Sequence, residues 1–118
     1  MSEFRFEGLE IWKKSIEIDD ILFDIAVKAE HMKYYRYAEQ LRAASISISN
    51  NIAEGSGSFT NKGFANYLSI ARKSVFECAN IIILFLRRKI IDEPQKNYLY
   101  NELQALSKMI TNFRKSLL

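Results

Sequence analysis

Residues 61–88 carry one unbroken apolar stripe. Phe64, Leu68, Ala71, Val75, Cys78, Ile82 and Leu86 recur at spacings of four and three, which places them on one face of an α-helix. With a rise of 1.5 Å per residue, such a helix is about 40 Å long. It cannot bury its stripe alone, so the chain must supply partners of similar length. Three other segments qualify. A helix over 9–29 has Ile11, Ser15, Ile18, Leu22, Ile25 and Ala29 on one stripe and Trp12, Ile16, Phe23 and Ala26 on a second beside it. A helix over 35–54 aligns Tyr37, Leu41, Ala44, Ile48 and Ile52. A last helix repeats Leu99, Leu103, Leu106, Ile110, Phe113 and Leu117, with Asp92 as N-cap and Pro94 in the first turn.

The breaks between these segments are short. Residues 30–34 interrupt the first pattern. Gly55-Ser56-Gly57-Ser58 is expected to end the second helix on a left-handed glycine, and Thr60 to cap the third. One Pro and four Gly in 118 residues leave little punctuation for strands. The expectation is an all-α fold, an up-down four-helix bundle formed by a single domain, 1–118. Ser45-Ile46-Ser47-Ile48-Ser49 alternates as a half-buried strand would. The helical spacing around it is far longer than this alternation and prevails. On the helix Ile48 joins Leu41, Ala44 and Ile52, and Ile46 is left facing outward.

Phe76 and Ile83 are in the same position on the third helix: they share a face roughly 100–120° off the core stripe. Apolar residues outside a bundle can be buried by a second copy of the chain. Ile46, Phe76 and Ile83 are therefore candidate contacts of a homo-oligomer.

The chemistry-bearing residues are few. The only cysteine is Cys78, on the core stripe, where a thiol packs as a small hydrophobe. The only histidine, His31, falls in a connection and is not part of a Glu-x-x-His pair, so no di-iron motif exists. Gly55-Ser56-Gly57 lacks the lysine of a phosphate-binding loop. No catalytic residue, metal site or cofactor is expected, and the protein is read as non-enzymatic. The charged start MSEFRFEGLEIW is unlike a signal peptide. The longest apolar run is far short of the roughly 20 residues a membrane span requires. A soluble, cytoplasmic protein is expected.

Two groups of polar residues remain. Asn51 borders the core face of the second helix, with Ser74 or Glu77 of the third helix as its candidate partner. A buried polar cluster of this kind can set helix register, and a ligand pocket is the functional alternative. The net charge is +3 and the pI about 9.0. Arg42, Arg72, Lys73, Arg87, Arg88 and Lys89 are candidate phosphate contacts, although cations at helix C-termini also complement the helix dipole.

The segments FEGLEIWKKSIEI, QLRAASISISNNIAEGSG and FANYLSIARKSVFE resemble the bacterial four-helix-bundle family of proteins encoded in 23S ribosomal RNA intervening sequences. Leu9 and Trp12, then Gln40-Leu41-Arg42, then Ser47, Ile48, Asn51, Ile52, Ala53, Glu54 and Gly55, and finally Ala71, Arg72, Ser74 and Glu77 carry the pattern. Ser49, Met32-Lys33, Lys73 and Arg36-Tyr37 depart from it, so the entry into the second helix and its kink are expected to differ. The family is similar to accessory proteins of diversity-generating retroelements, barrel-like pentamers that bind nucleic acid and a reverse transcriptase. The resemblance implies a ring-like homo-oligomer, a pentamer, with RNA or DNA as partner. A scaffold engaging another protein through its apolar outer faces is the alternative.

Overall fold

The computed structural model of the chain describes residues 4–118. A short 3-10 turn, Arg5–Gly8, leads into α1 (Glu10–His31), α2 (Tyr35–Ser56), α3 (Asn61–Arg87) and α4 (Glu93–Leu117), and no strand occurs among the described residues. Each helix packs on the one before it and α4 returns to α1, with no close approach across either diagonal. This is an up-down four-helix bundle. Its extents of 44 × 24 × 23 Å match the length of α3. No helix among the described residues is long and apolar enough to cross a membrane.

The stripes form one shared core. Ile11, Ile18, Leu22, Leu41, Ile48, Ile52, Phe64, Leu68, Cys78, Ile82, Leu99, Leu103 and Ile110 are all buried. Two details differ from the periodic reading. Leu86 is only partly buried, and Phe85 takes the fully buried place beside Ile90 and Ile91, which close that end of the core from the connection. Phe23, expected on the second stripe of α1, is 54 % exposed, although Ala26 of the same stripe is fully buried and Trp12 packs against the core.

The helix ends are set by local hydrogen bonds. Thr60 Oγ1 accepts from the Gly63 N–H at 3.0 Å and starts α3. Asp92 Oδ1 accepts from the Gln95 N–H at 2.9 Å while Gln95 Oε1 accepts from the Asp92 N–H at 3.0 Å, a reciprocal cap on α4. The expectation for Gly55 is overturned. α2 continues through it to Ser56, and no glycine among the described residues has a positive φ. Gly55 is buried because α3 presses against it: a Cβ there would lie 2.7 Å from Tyr67 Cβ and 2.8 Å from Phe64 Cδ1.

The left-handed residues among those described are Lys33 (φ 70°) and Lys89 (φ 62°). Each closes a helix in the same way. The Tyr34 N–H donates to Ala29 O at 2.9 Å and the Lys33 N–H to Glu30 O at 2.8 Å; the Ile90 N–H donates to Phe85 O at 2.9 Å and the Lys89 N–H to Leu86 O at 3.0 Å. This is the Schellman closure. It turns Tyr34 and Ile90 back onto the core. A non-glycine residue in this conformation costs on the order of 1–2 kcal/mol.

Cys78 sits in the middle of the core. Burial, helped by the negative charges of Glu77 and Asp19, pushes its thiol up to about 12. The neutral thiol is thus favoured in the folded state. Its contribution is fully present below pH 9.0, the ordinary thiol value, and is lost as pH rises from there toward about 12. Above pH 9 the stability advantage of the parent over Cys78→Ala should shrink by about 1.4 kcal/mol per pH unit, measured as urea midpoints of both proteins at stepped pH. A constant advantage would contradict the burial of the thiol.

Candidate functional site

Two outer seams of the bundle combine an arginine with an exposed phenylalanine. On the α1–α2 seam, Arg42 Nη2 donates to Glu30 Oε1 at 2.7 Å, and its guanidinium lies 5.4 Å from the centroid of the Phe23 ring. That hydrogen bond holds the Glu30 carboxyl below its ordinary value. Ile46 follows Arg42 by one helical turn, and Phe23 and Ile46 are each 54 % exposed. On the α3–α4 seam, Arg72 Nε donates to Thr111 Oγ1 at 3.1 Å, and its guanidinium lies 4.7 Å from the Phe76 ring centroid. Phe76 is 56 % exposed and lines a cleft of about 300 Å³ with Val75, Ala79, Tyr100 and Leu103. Ile83 is exposed two turns further along α3. In a cyclic four-helix arrangement these seams are opposite faces of the molecule.

The seams also differ in charge. Asp20 is exposed on α1 three residues before Phe23, and Glu39 lies seven residues before Ile46 on the same face of α2. The α3–α4 cleft is lined instead by Arg72 and Lys108. One face is apolar with an acidic border and the other apolar with a basic border.

The polar group between α2 and α3 is smaller than the motif suggests. Ser47 Oγ and Ser74 Oγ are 2.7 Å apart, and Asn51 Nδ2 donates to Ser47 O at 2.8 Å and to Ser47 Oγ at 3.1 Å. Asn51 therefore binds its own helix, and Ser47 makes the bridge to Ser74 in its place. A side chain four residues on reaches its own helix before it can span to a neighbour. Glu54 and Glu77 are exposed and take no part. On the other flank of α2, Ser45 Oγ donates to Asp19 Oδ1 of α1 at 2.5 Å. The Ser47–Ser74 hydrogen bond ties α2 to α3 and reads as a helix-register device.

The six basic candidates separate. Arg42 and Arg72 are occupied at the seams. Lys73 stands exposed on α3, remote from Arg87, Arg88 and Lys89 at the end of that helix. No described carboxylate pairs with these last three; Arg88 lies 5.9 Å from the Tyr37 ring centroid. Among the described residues no three His, Cys, Asp or Glu side chains gather as metal ligands. The periodic reading missed Phe23 as a surface residue and Lys33 as a left-handed one. For Lys33 the sole clue is a lysine in a helix connection that contains no glycine.

The family model of the 23S rRNA-intervening sequence protein matches residues 7–112. The chain belongs to the 23S rRNA-intervening sequence protein family. A crystal structure from Bacteroides thetaiotaomicron, a protein with unknown function from the S23 ribosomal protein family, superposes with a TM-score of 0.84 at 23 % identity. It covers 89 % of this chain and 98 % of that one, so the two share the fold. No curated protein matches the chain.

In this member of the 23S rRNA-intervening sequence protein family, Ile52 and Gly55 of the Asn51–Gly55 motif are buried, and Gly55 lies in close contact with α3. Gly55→Ala should destabilise the bundle by about 1–3 kcal/mol through overpacking against Phe64 and Tyr67. Gly57→Ala, whose Cβ would meet only Glu54 O at 3.4 Å, should stay within about 0.5 kcal/mol. Urea unfolding of both variants checks the contrast, and equal effects would remove the packing role.

Proposed function

We propose that this protein is a non-enzymatic, cytoplasmic homo-oligomer that closes into a ring, with five subunits as the working number, and binds structured nucleic acid, RNA foremost, through basic surfaces repeated around it. The observation that carries this reading is the pair of unlike patches on opposite seams. A two-fold dimer needs one self-complementary patch, whereas two different, mutually complementary patches suit head-to-tail contacts, which form a ring when the rotation between neighbouring subunits closes and an open filament when it does not. Phe23 and Ile46 with their acidic border match Phe76 and Ile83 with Arg72 and Lys108. Self-association then repeats every exposed cation, Arg87, Arg88 and Lys89 included, and multiplies the electrostatic attraction for phosphate.

Mixing two broken chains tests the assembly. Ile46→Asp and Phe76→Glu should each be monomeric by light scattering, because each lacks one half of the contact. Mixed, they should form one heterodimer and nothing larger, since only one intact patch of each kind remains. A monomeric parent protein would favour a different protein as the partner of these faces. Nucleic-acid binding is tested by titrating a labelled RNA stem-loop at several salt concentrations. Affinity should fall steeply with salt, with a log–log slope of about −0.9 for each phosphate neutralised on a duplex, and no binding at low salt rejects the reading.

A further inference from the structure

Lys33 and Lys89 are the two non-glycine residues with positive φ among those described, and both lie at the same end of the bundle. Tyr34 is 5.7 Å from Tyr37, ring to ring, and Tyr37 is 5.9 Å from Phe85 and from the Arg88 guanidinium. The α1–α2 and α3–α4 turns therefore form one pole. Glycine is the ordinary occupant of the left-handed position in this closure, yet the four glycines of the chain all stand elsewhere. Complementing the helix dipole does not explain the lysines, because Lys28, His31 and Arg87 already sit in the last turns of α1 and α3 with helical backbone. Both lysines are exposed. A strained conformation kept twice at one place points to a use other than stability.

The surroundings have the same character. Residues 28–36 and 87–96 hold seven Lys and Arg against three Asp and Glu, an excess of four. Two of those carboxylates are engaged: Glu30 by Arg42 and Asp92 by the cap of α4. The opposite pole, residues 5–10, 54–62 and 112–118, holds four against three. α2 also begins at the basic pole, with no side-chain cap and no acid in its first turn. Its first N–H groups are left for another acceptor, and phosphate suits such a terminus.

We infer that this pole is the phosphate-contacting surface, with Lys33 and Lys89 as paired contacts to the nucleic-acid backbone. The inference rests on the nucleic-acid reading proposed above and adds the place of contact. In a ring built through the seams, cyclic symmetry sets the same pole of every subunit on one rim, so the pair recurs once per subunit.

The test uses the full chain and a labelled RNA stem-loop. The Lys33→Gly/Lys89→Gly protein should melt a few degrees higher, bind at least about tenfold more weakly, and show a salt slope shallower by about two for each contacting subunit. Lys33→Arg/Lys89→Arg keeps the charge and should bind as the parent does. If the glycine pair binds like the parent while Lys62→Ala/Lys115→Ala binds weakly, the contact lies at the other pole; the inference falls and the nucleic-acid reading stands. An arginine pair that binds no better than the glycine pair also overturns it. A parent protein that binds no RNA at low salt removes the nucleic-acid reading itself.

Discussion

α3 lies between α2 and α4, and its buried face is Phe64, Leu68, Ala71, Val75, Cys78 and Ile82. Burying one large apolar side chain is worth about 1.5–3 kcal/mol. Rotating α3 far enough to cover Phe76 and Ile83 would uncover most of that face, so the rotation is fixed by several side chains against two. The other flanks follow from it. Ser74 is turned toward α2, where it meets Ser47, and Arg72 and Phe76 toward α4, where Arg72 meets Thr111. A neutral hydrogen bond contributes about 1 kcal/mol, too little to set the rotation but enough to favour one register of α2 along α3. The exposed apolar patch is thus a consequence of core packing, which leaves its side chains without an intramolecular partner.

Periodicity made the four helices and most of the core legible, because spacing along a helix is a local property that long stripes report repeatedly. The helix ends were legible where a side chain caps its own helix, as Thr60 and Asp92 do. They were misread where the rule of glycine at a helix end was applied to Gly55. The glycine there is required by Phe64 and Tyr67 of another helix, and no local pattern contains that contact. Conversely, the left-handed positions went to lysines. Tyr34 and Ile90 turn back onto the core three residues past the last residue of each helix, and the left-handed residue just before each makes that turn.

Ile46, Phe76 and Ile83 were legible as outward-facing for the same reason as the core: their angular offset from the stripe is fixed by the helix. The basic candidates were not separable from the sequence. Arg42 is drawn off by Glu30 and Phe23, and Arg72 by Thr111, 39 positions away. These partners come from neighbouring helices and appear only when the bundle is closed. The polar motif divided likewise: Ser47, Asn51 and Ser74 form a linked group, whereas Glu54 and Glu77, equally part of the motif, face solvent.

The proposed ring places like-charged poles side by side, which raises the question of whether repulsion would prevent closure. Neighbouring poles would be about one bundle width apart, 24 Å. Two clusters of four charges at that distance in water repel by roughly 3 kcal/mol before screening. With a Debye length near 8 Å at physiological ionic strength the repulsion falls to on the order of 0.1 kcal/mol, and at 0.01 M salt it recovers to about 1 kcal/mol. Burying even one exposed phenylalanine at a seam outweighs the screened value. Charge at the rim therefore does not oppose assembly at physiological salt, while it remains available to a polyanion that approaches within a few ångströms. In the proposed ring the same screening would separate two roles of the surface: apolar seams would hold subunits together with little dependence on salt, and the cationic pole would act only at contact range.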